Sequence, residues 1–374
     1  MFNQLESKIN SIIKRHDSKE LNECLKNNLI TADFVFTNGY SLLAKILYSK
    51  DKEMLQVLID NKVDVNKSYQ VVGKNNIYFP IMIPLIEDNV EFFDILLKNG
   101  ADFILNDGKY KEDVFDSAII KNKKNILTYL IENKIRIDEP VIYRREALQL
   151  KEYPSEGLII KELRSQSLAQ LAIKNGYAGN LSVPDIIDCL KFFVQKNNPG
   201  TVKTLTEYMN SSNFAKKDEN KYIAKEVLTS TEAYGNERSL IKVLEGLKED
   251  LLKENFNDMN INHMLKKLNA IGLEFLHKNK KLDEKNLFYK GIDPLSRLIE
   301  IKPSTLPDIG EYQTEAKNKI VRMLINMGID YKKEKKVYAY IEENMPDIIA
   351  NDQKNELESI LTKPNSNPAN KKRL

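Results

Sequence analysis

The residues best suited to catalysis or metal binding are three histidines and two cysteines, and they are scattered. His16, His263 and His277 form no H-E-x-x-H motif, and Cys24 and Cys189 form no C-x-x-C pair. A zinc site needs nitrogen and sulfur ligands at short, regular spacings, and a disulfide framework needs several paired cysteines. We therefore expect no metal site, no disulfide framework and a reducing compartment.

Two sites in the sequence contain residue types that could support catalysis. Arg15-His16-Asp17 places an acid beside a histidine, an arrangement that can act as a general base. The group lies between two apolar helices, however, so a turn in which Asp17 or Ser18 caps the next helix is the better interpretation. Cys189 lies in the apolar run IIDCLKFFV, which favours a buried thiol with a raised pKa over a nucleophile.

The sequence also lacks the common motifs of nucleotide hydrolysis and of serine hydrolases. The sequence contains no G-x-x-x-x-G-K-[ST] phosphate loop and no G-x-S-x-G nucleophile elbow. We therefore expect a protein that is not an enzyme and that needs no cofactor.

Charge and hydropathy limit the class of partner. The 57 basic and 54 acidic residues give a net charge of +3 and are mixed along the chain, which argues against a nucleic acid partner. No stretch approaches about 18 uninterrupted apolar residues, so no membrane span is expected. The amino-terminal segment lacks the apolar core of a signal peptide, which favours a soluble, cytoplasmic protein.

The secondary-structure elements that carry these residues belong to a repeated sequence unit. SLLAKILYSKDKEMLQVLIDNKVDVN, residues 41–66, predicts a short apolar helix, a polar turn, a second apolar helix and an Asp-containing end. The same pattern recurs in residues 9–30, 79–103 and 113–138. With the turn between helices as marker, His16, Lys50, Asp88 and Asn122 are equivalent, at spacings of 34, 38 and 34 residues.

The pattern continues less regularly towards the carboxyl end. Turns are predicted near Asn197, Gly235 and Leu268, and SLAQLAIKNG at 167–176 fits a first helix. DPLSRLIEIK, from Asp293, predicts a first helix, and KIVRMLINMGIDY predicts its second helix after an inserted loop, KPSTLPDIGEYQT, at 302–314. About eight or nine units of this length would fill the chain.

This pattern resembles the ankyrin repeat, in which T-P-L-H-x-A-A is followed by L-L-x-x-G-A-D-V-N. The matching segments are Phe79-Pro80-Ile81-Met82, Asp293-Pro294-Leu295-Ser296, Gly100-Ala101-Asp102, Gly328-Ile329-Asp330 and Val63-Asp64-Val65-Asn66. The sequence departs from the family pattern because no unit keeps the histidine and because Lys62 and Lys134 replace glycine. The resemblance implies an all-α solenoid of stacked helix-turn-helix units joined by short hairpin loops.

Physical reasons support the unit independently of the resemblance. Each helix pair exposes apolar side chains on two sides, for example Leu43, Ile46, Leu47, Leu55 and Leu58, which stacking would bury. Gly100 and Gly328 suit a left-handed residue after a helix, where Lys62 and Lys134 would each cost about 1 kcal/mol.

The regularity of the repeats divides the chain into four regions. Residues 1–138 and 261–361 are predicted to be ankyrin-like, the latter with a capping helix, and 139–260 is irregular with insertions. The tail TKPNSNPANKKRL, 362–374, is predicted to be disordered. The alternative is that 139–260 forms a separate helical domain with an enzymatic activity of its own.

Two insertions supply the predicted contact residues. The long connection KSYQVVGKNNIY, 67–78, predicts a projecting hairpin that carries Tyr69, Val71, Val72 and Tyr78, of which Tyr69, Val71 and Tyr78 are the candidate contacts. The insertion after Asp138 brings together Tyr143, Arg144 and Arg145, residue types that are enriched in interface hot spots. An alternative for this second group is that the tyrosine packs on a helix and the arginines pair with Glu146 or Glu152.

The resemblance also implies a function. Ankyrin arrays bind partner proteins through their concave face and hairpin loops, so the expected role is a non-enzymatic scaffold with an unknown protein partner. Lys-, Asn- and Ile-rich degenerate ankyrin proteins are similar to those encoded by bacteria that live inside eukaryotic cells. Such proteins are often exported into the host cell as effectors.

Overall fold

The fold is known from a computed structural model that describes residues 2–106, 111–135, 160–161, 163, 165–179, 181–211, 214, 216–231 and 236–361. These residues are mostly helical, which confirms the all-α class. The chain forms two compact units, Met1–Cys189 and Leu190–Leu374. The boundary falls inside the predicted region 139–260, so that region is shared between the two units.

The first unit consists of short helices and two small antiparallel strand pairs. The described helices are α1 (Phe2–Arg15), α2 (Ser18–Lys26), α3 (Leu42–Ser49), α4 (Lys52–Asp60), α5 (Met82–Glu87), α6 (Val90–Lys98), α7 (Val114–Ile120), α8 (Lys124–Glu132) and α9 (Gln166–Lys174), and α10 (Val183–Gln195) contains the boundary. The strands are β1 (Tyr69–Gln70) paired with β2 (Ile77–Tyr78), and β3 (Ile104–Asn106) paired with β4 (Lys111–Asp113).

Consecutive helices pair, and successive pairs pack through equivalent members. Helix α1 packs on α2, α3 on α4, α5 on α6 and α7 on α8. The first helices contact one another in the order α1, α3, α5, α7, while α2 contacts α4 and α6 contacts α8. Leu43, Ile46, Leu47, Leu55 and Leu58 are all buried by this packing, as predicted.

A left-handed residue makes the turn within each of the four helix pairs from α1 to α8. His16, Lys50, Asp88 and Asn122 have φ angles of 57°, 56°, 56° and 51°, which confirms that the four marker positions are equivalent. Asn197 and Leu268, with φ angles of 45° and 50°, confirm two further predicted turns. Gly235 lies outside the described residues. One residue in this conformation reverses the chain within two or three positions, which keeps the paired helices in contact.

The second helix of most pairs begins with a polar capping side chain. Asp17 accepts a hydrogen bond from the backbone N–H of Glu20, as the sequence predicted, and Asp51 caps α4 through the N–H of Met54. These carboxylates satisfy N–H groups that have no partner within the helix. Arg15-His16-Asp17 is therefore the end of α1, a turn and the cap of α2, as the sequence indicated.

Helix α8 is capped from a neighbouring pair. Its own N-cap residue, Lys123, makes no capping bond through its side chain. The carboxylate of Asp88 instead accepts from the backbone N–H groups of Asn125, at 3.2 Å, and Ile126, at 3.0 Å. A single side chain thus completes one helix pair and ties it to the next.

Loops of successive pairs are joined by the Asn66 amide. Its Nδ2 donates to the carbonyl of Gly100 at 2.8 Å, and its Oδ1 accepts from the N–H of Asp102 at 2.8 Å. Two backbone groups of one loop are therefore satisfied by a side chain about one repeat earlier, which ties neighbouring pairs together.

The second helices end in the conformation that the sequence predicted. Lys62, Lys134, Gly100 and Gly328 have φ angles of 61°, 52°, 89° and 94°. After α4, the N–H of Val63 bonds to the carbonyl of Leu58, which closes a Schellman-type helix end. The two lysines therefore occupy positions that are strained for a residue with a Cβ.

The second unit repeats the same organisation. Its described helices are α11 (Pro199–Asn210), α12 (Asn220–Ser230), α13 (Glu237–Gly246), α14 (Lys248–Lys253), α15 (Asp258–Lys266), α16 (Ala270–Lys278), α17 (Glu284–Leu287), α18 (Pro294–Ile299), α19 (Pro307–Asn326), α20 (Lys335–Asn344) and α21 (Pro346–Leu361). First helices α12, α15, α18 and α20 pack in that order, as do second helices α11, α13, α16 and α19.

Two predicted elements differ from the structure. The segment SLAQLAIKNG forms α9, but α9 packs on α8 and so lies in the row of second helices, not first helices. The apolar periodicity of this segment is compatible with a helix in either row, so the sequence could not decide between the two rows. In the predicted loop at 302–314, helix α19 already begins at Pro307, because proline at the first helical position fits a helix start.

Lys317, on α19, stabilises the shorter connection that remains. Its buried ammonium donates to the carbonyls of Ile299 and Ile301, both at 3.0 Å, and lies 4.5 Å from the ring centroid of Tyr340. Burial lowers the pKa of this lysine. A cation on the last carbonyls of a helix is favourable, and here it holds the chain after α18.

Replacing Asp88 with alanine should destabilise the first unit by about 1 kcal/mol, the usual cost of losing a helix cap. The measurement is urea unfolding followed by circular dichroism. Asp102→Ala is the matched control, because Asp102 contributes its backbone N–H to Asn66 and alanine keeps that group. Equal stability of the two variants would contradict the capping role of Asp88.

Lys62→Gly and Lys134→Gly should each stabilise the protein, by about 0.5–1 kcal/mol, because glycine removes the left-handed strain. Lys26→Gly, at the last helical position of α2, should instead destabilise it. Thermal unfolding of the three variants distinguishes relief of local strain from a general effect of losing a lysine. A fall in the melting temperature of Lys62→Gly would refute the strain argument.

Candidate functional site

The strand pair at residues 69–78, called the finger below, is the first predicted contact region. Tyr69 pairs with Tyr78 and Gln70 with Ile77, so residues 71–76 form the tip. The rings of Tyr69 and Tyr78 stack with their centroids 5.6 Å apart. Both predicted tyrosines therefore lie on the same side of the finger.

The loop before α3 contacts both the base and the start of the tip of the finger. The N–H of Val72 donates to the carbonyl of Asn38 at 3.0 Å. Gly39 has a φ of +85°, and a Cβ there would lie 2.0 Å from the carbonyl oxygen of Gln70. Glycine is required at this position both by its backbone conformation and by the close approach of the two chains.

Tyr69 is an anchor of the finger and is not accessible as a contact residue. Its side chain is only 5% exposed. Its ring centroid lies 5.9 Å from that of Tyr40, which in turn lies 6.0 Å from that of Tyr48. Burial, with a further contribution from Tyr48, raises the pKa of Tyr69 well above its usual value. The sequence expectation of an exposed aromatic contact therefore differs from the structure at this residue.

The accessible apolar surface of the finger is at Val72 and Ile77. Val72 is 71% exposed, whereas Val71 and Tyr78 are half-buried. The two-residue alternation of a strand explains the arrangement at the base, since Tyr69 and Tyr78 share one face and Ile77 lies opposite Gln70 on the other. Applied to 67–78, that alternation could have identified Ile77 from the sequence.

A second accessible region lies on the first helices. Tyr48, Ile86 and Ile120, called the apolar row below, each precede a left-handed turn residue by two positions. Their side chains are 48%, 52% and 46% exposed. The other described residues of α3, α5 and α7 that are not buried are Lys45, Ser49 and Glu87. Three of the six accessible side chains on these helices are therefore apolar, and these three occupy equivalent positions.

The apolar row was not predicted, although the sequence contains the signal for it. Aligning the repeats on His16, Lys50, Asp88 and Asn122 places Lys14, Tyr48, Ile86 and Ile120 in one column. What the sequence alone did not supply is the burial of the neighbouring columns, which leaves this one exposed.

Three lysine side chains near the apolar row make contacts with neighbouring residues. Lys45 Nζ donates to Asn10 at 2.8 Å and lies 4.1 Å from the ring centroid of Phe36. Lys50 Nζ lies 3.1 Å from the Glu87 carboxylate of the next pair, and Lys123 Nζ donates to the carbonyl of Ile86. Burial lowers the pKa of Lys45. The row is thus bordered by ordered, mainly basic side chains.

The structure shows the surroundings of His16 and Cys189, the two residues that the sequence offered as candidates for catalysis. The ring of His16 hydrogen-bonds through Nδ1 to the carboxylate of Asp51 at 2.8 Å, which links two helix pairs. Cys189 is buried, and burial raises the pKa of its thiol to about 12, as the apolar run IIDCLKFFV predicted. Tyr143, Arg144 and Arg145 lie outside the described residues.

Within the part of the chain that the structure describes, no group of His, Cys, Asp and Glu side chains is arranged to hold a metal ion. Over the same residues, no helix combines the length and apolarity needed to cross a bilayer. A scan against models of known protein families found no match, and a search of curated proteins found none either.

The different burial of Tyr69 and Val72 can be tested by substitution. Tyr69→Ala should cost about 3 kcal/mol, because it removes a packed ring from the base of the finger. Val72→Ala should change stability by less than about 0.5 kcal/mol, as expected for an exposed side chain. Chemical denaturation monitored by circular dichroism compares the two. Similar losses in both variants would contradict the assignment of anchor and contact surface.

Proposed function

We propose that this protein is a non-enzymatic scaffold that binds a partner protein through the apolar row and the finger of its first unit. The observation that carries the proposal is the exposure of Tyr48, Ile86 and Ile120 at equivalent positions of three successive helix pairs. Isolated exposed apolar residues are ordinary, but an aligned set is typical of interaction surfaces.

The energy available from such a surface is adequate for binding. Full burial of a large apolar side chain contributes about 1.5–3 kcal/mol, so three half-exposed side chains would contribute roughly 3 kcal/mol. Val72 and Ile77 extend the apolar area onto the finger, and Lys45 and Lys50 supply a polar border. Apolar centres with polar rims are usual in specific interfaces.

We infer further that the helix pairs form an ankyrin-type solenoid. Three features support this inference: helix pairs joined by left-handed turns, strand pairs between successive helix pairs, and Asn66 bridging neighbouring loops. In such an array each unit contacts only its neighbours, so the accessible face of the first helices grows with each repeat. The expected binding surface is the concave face together with the hairpin loops.

The composition supports a biological setting for this scaffold. Its lysine-rich, degenerate repeats resemble those of ankyrin proteins from bacteria that live within eukaryotic cells. We propose that the partner is a host protein and that the scaffold acts as an exported effector. Tyr143, Arg144 and Arg145, which lie outside the described residues, are proposed as further contacts, since arginine and tyrosine are common interface anchors.

A capture experiment with two matched triple variants tests the proposal. One carries Tyr48→Asp, Ile86→Asp and Ile120→Asp, and the control carries Tyr222→Asp, Ile241→Asp and Ile292→Asp. The control residues have the same types and are 54%, 40% and 51% exposed, but they belong to the second unit. Circular dichroism and thermal unfolding first establish that both variants are folded.

The expected result is that wild type and control capture the same partner from a eukaryotic cell lysate, while the row variant captures about tenfold less. Such a loss corresponds to about 1.4 kcal/mol, well within the contribution of the three side chains. Quantitative mass spectrometry of the captured proteins measures the difference. Equal capture by the row variant and the control would refute the assignment of this surface.

A further inference from the structure

We propose that the segment covering the apolar row is an amphipathic α-helix of the partner, with apolar residues seven positions apart and an acidic residue opposite Lys14. This inference rests on the proposed function, because it names the kind of partner that the same surface would bind. It follows from the spacing of the row and from the charges at its end.

The spacing of the row matches a helix. Helices α3, α5 and α7 pack in sequence, and packed helices have axes about 8–10 Å apart. Equivalent side chains on these helices repeat at about the same distance. Seven residues of an α-helix span about 10.5 Å and make nearly two turns, so every seventh side chain lies on one face.

An extended partner fits the same spacing less well. Three residues of a β-strand also span about 10 Å, but side chains three apart point to opposite faces. A polyproline helix repeats every three residues, about 9.3 Å, with side chains on one face. Such ligands usually dock on aromatic-lined grooves, and only Tyr48 of the three row residues is aromatic.

An α-helix would also fill the spaces between the row residues. Side chains at i+3 or i+4 lie on the same helical face as those at i and i+7. They would fall between Tyr48 and Ile86 and between Ile86 and Ile120. A continuous apolar stripe on the partner would thus cover three separate apolar side chains, each about half exposed.

The basic residues at one end of the apolar row predict the direction in which the partner helix binds along it. The residue of α1 in the same column as the apolar row is Lys14, which is exposed. Lys45 and Lys50 lie on the next pair; the Glu87 carboxylate pairs with Lys50, and the Glu6 carboxylate of α1 acts on Lys45. An acidic partner residue one heptad from the side chain that covers Tyr48 would meet this basic end. Exposed ion pairs of this kind select orientation more than they add affinity.

Selection from three displayed peptide libraries, sorted on the full-length protein, tests the proposal. The first library fixes apolar residues at seven-residue spacing in a helix-forming background, and the second shifts them to a five-residue spacing, which disperses them around the helix. The third is proline-rich with an apolar residue at every third position. Each sort is followed by removal of peptides that still bind the folded triple variant Tyr48→Asp, Ile86→Asp, Ile120→Asp.

We expect the seven-residue library to yield peptides whose affinity falls about tenfold or more with the row variant and is unchanged with Tyr222→Asp, Ile241→Asp, Ile292→Asp. Fluorescence anisotropy with labelled peptides measures both affinities. Enrichment from the five-residue or proline-rich library instead would overturn the helical partner, as would failure of all three libraries. Dimerisation of the protein through the row, detected by analytical ultracentrifugation, would overturn it as well.

A charge exchange tests the orientation separately. Lys14→Glu should weaken peptides that carry Glu at the predicted position, and a peptide with Lys there should restore binding to the variant. The absence of restoration would overturn the assigned direction. These outcomes are distinct from failure of the proposed function, which is decided by whether capture of cellular proteins depends on the row.

Discussion

The structure depends on the burial of two apolar sides of every helix pair. A short pair such as α3 and α4 has too little interior of its own, so its apolar side chains are covered only when the pairs before and after pack against it. Close packing of that kind needs abrupt turns, which explains why left-handed residues recur at His16, Lys50 and Asp88 despite their backbone strain. The buried area of many pairs outweighs the strain of individual turns.

The same constraint determines what remains accessible. Once α3, α5 and α7 are packed on their neighbours and on their second helices, the apolar residues that stay accessible on them lie two positions before each turn residue. Those residues are Tyr48, Ile86 and Ile120, and their alignment follows from the equivalence of the turns. Polar links such as Asp88 to α8 and Asn66 to the next loop hold the pairs in register. A binding surface of defined spacing therefore arises from the packing itself.

The sequence predicted best what depends on single residues and their near neighbours. Turn positions, the cap at Asp17 and the ends at Lys62 and Gly100 follow from local backbone preferences, and the structure confirms them. The prediction that α9 lies in the row of first helices was wrong. The apolar periodicity of a helix does not show which neighbouring helix it packs on. The predicted finger was correctly placed, yet the burial of Tyr69 depends on Tyr40 and Gly39, which come from another loop.

The sequence by itself determined the all-α class, the length of the repeated unit and the residues that form its turns, because hydrophobic periodicity and turn chemistry act over a few neighbouring positions. Only the tertiary structure decided which side chains are covered. Asp88 caps a helix of another pair, Tyr69 is an anchor, and Tyr48, Ile86 and Ile120 remain exposed. Local periodicity predicted the burial of regular core positions such as Leu43 and Leu55, but these outcomes depend on neighbours brought together from distant parts of the chain.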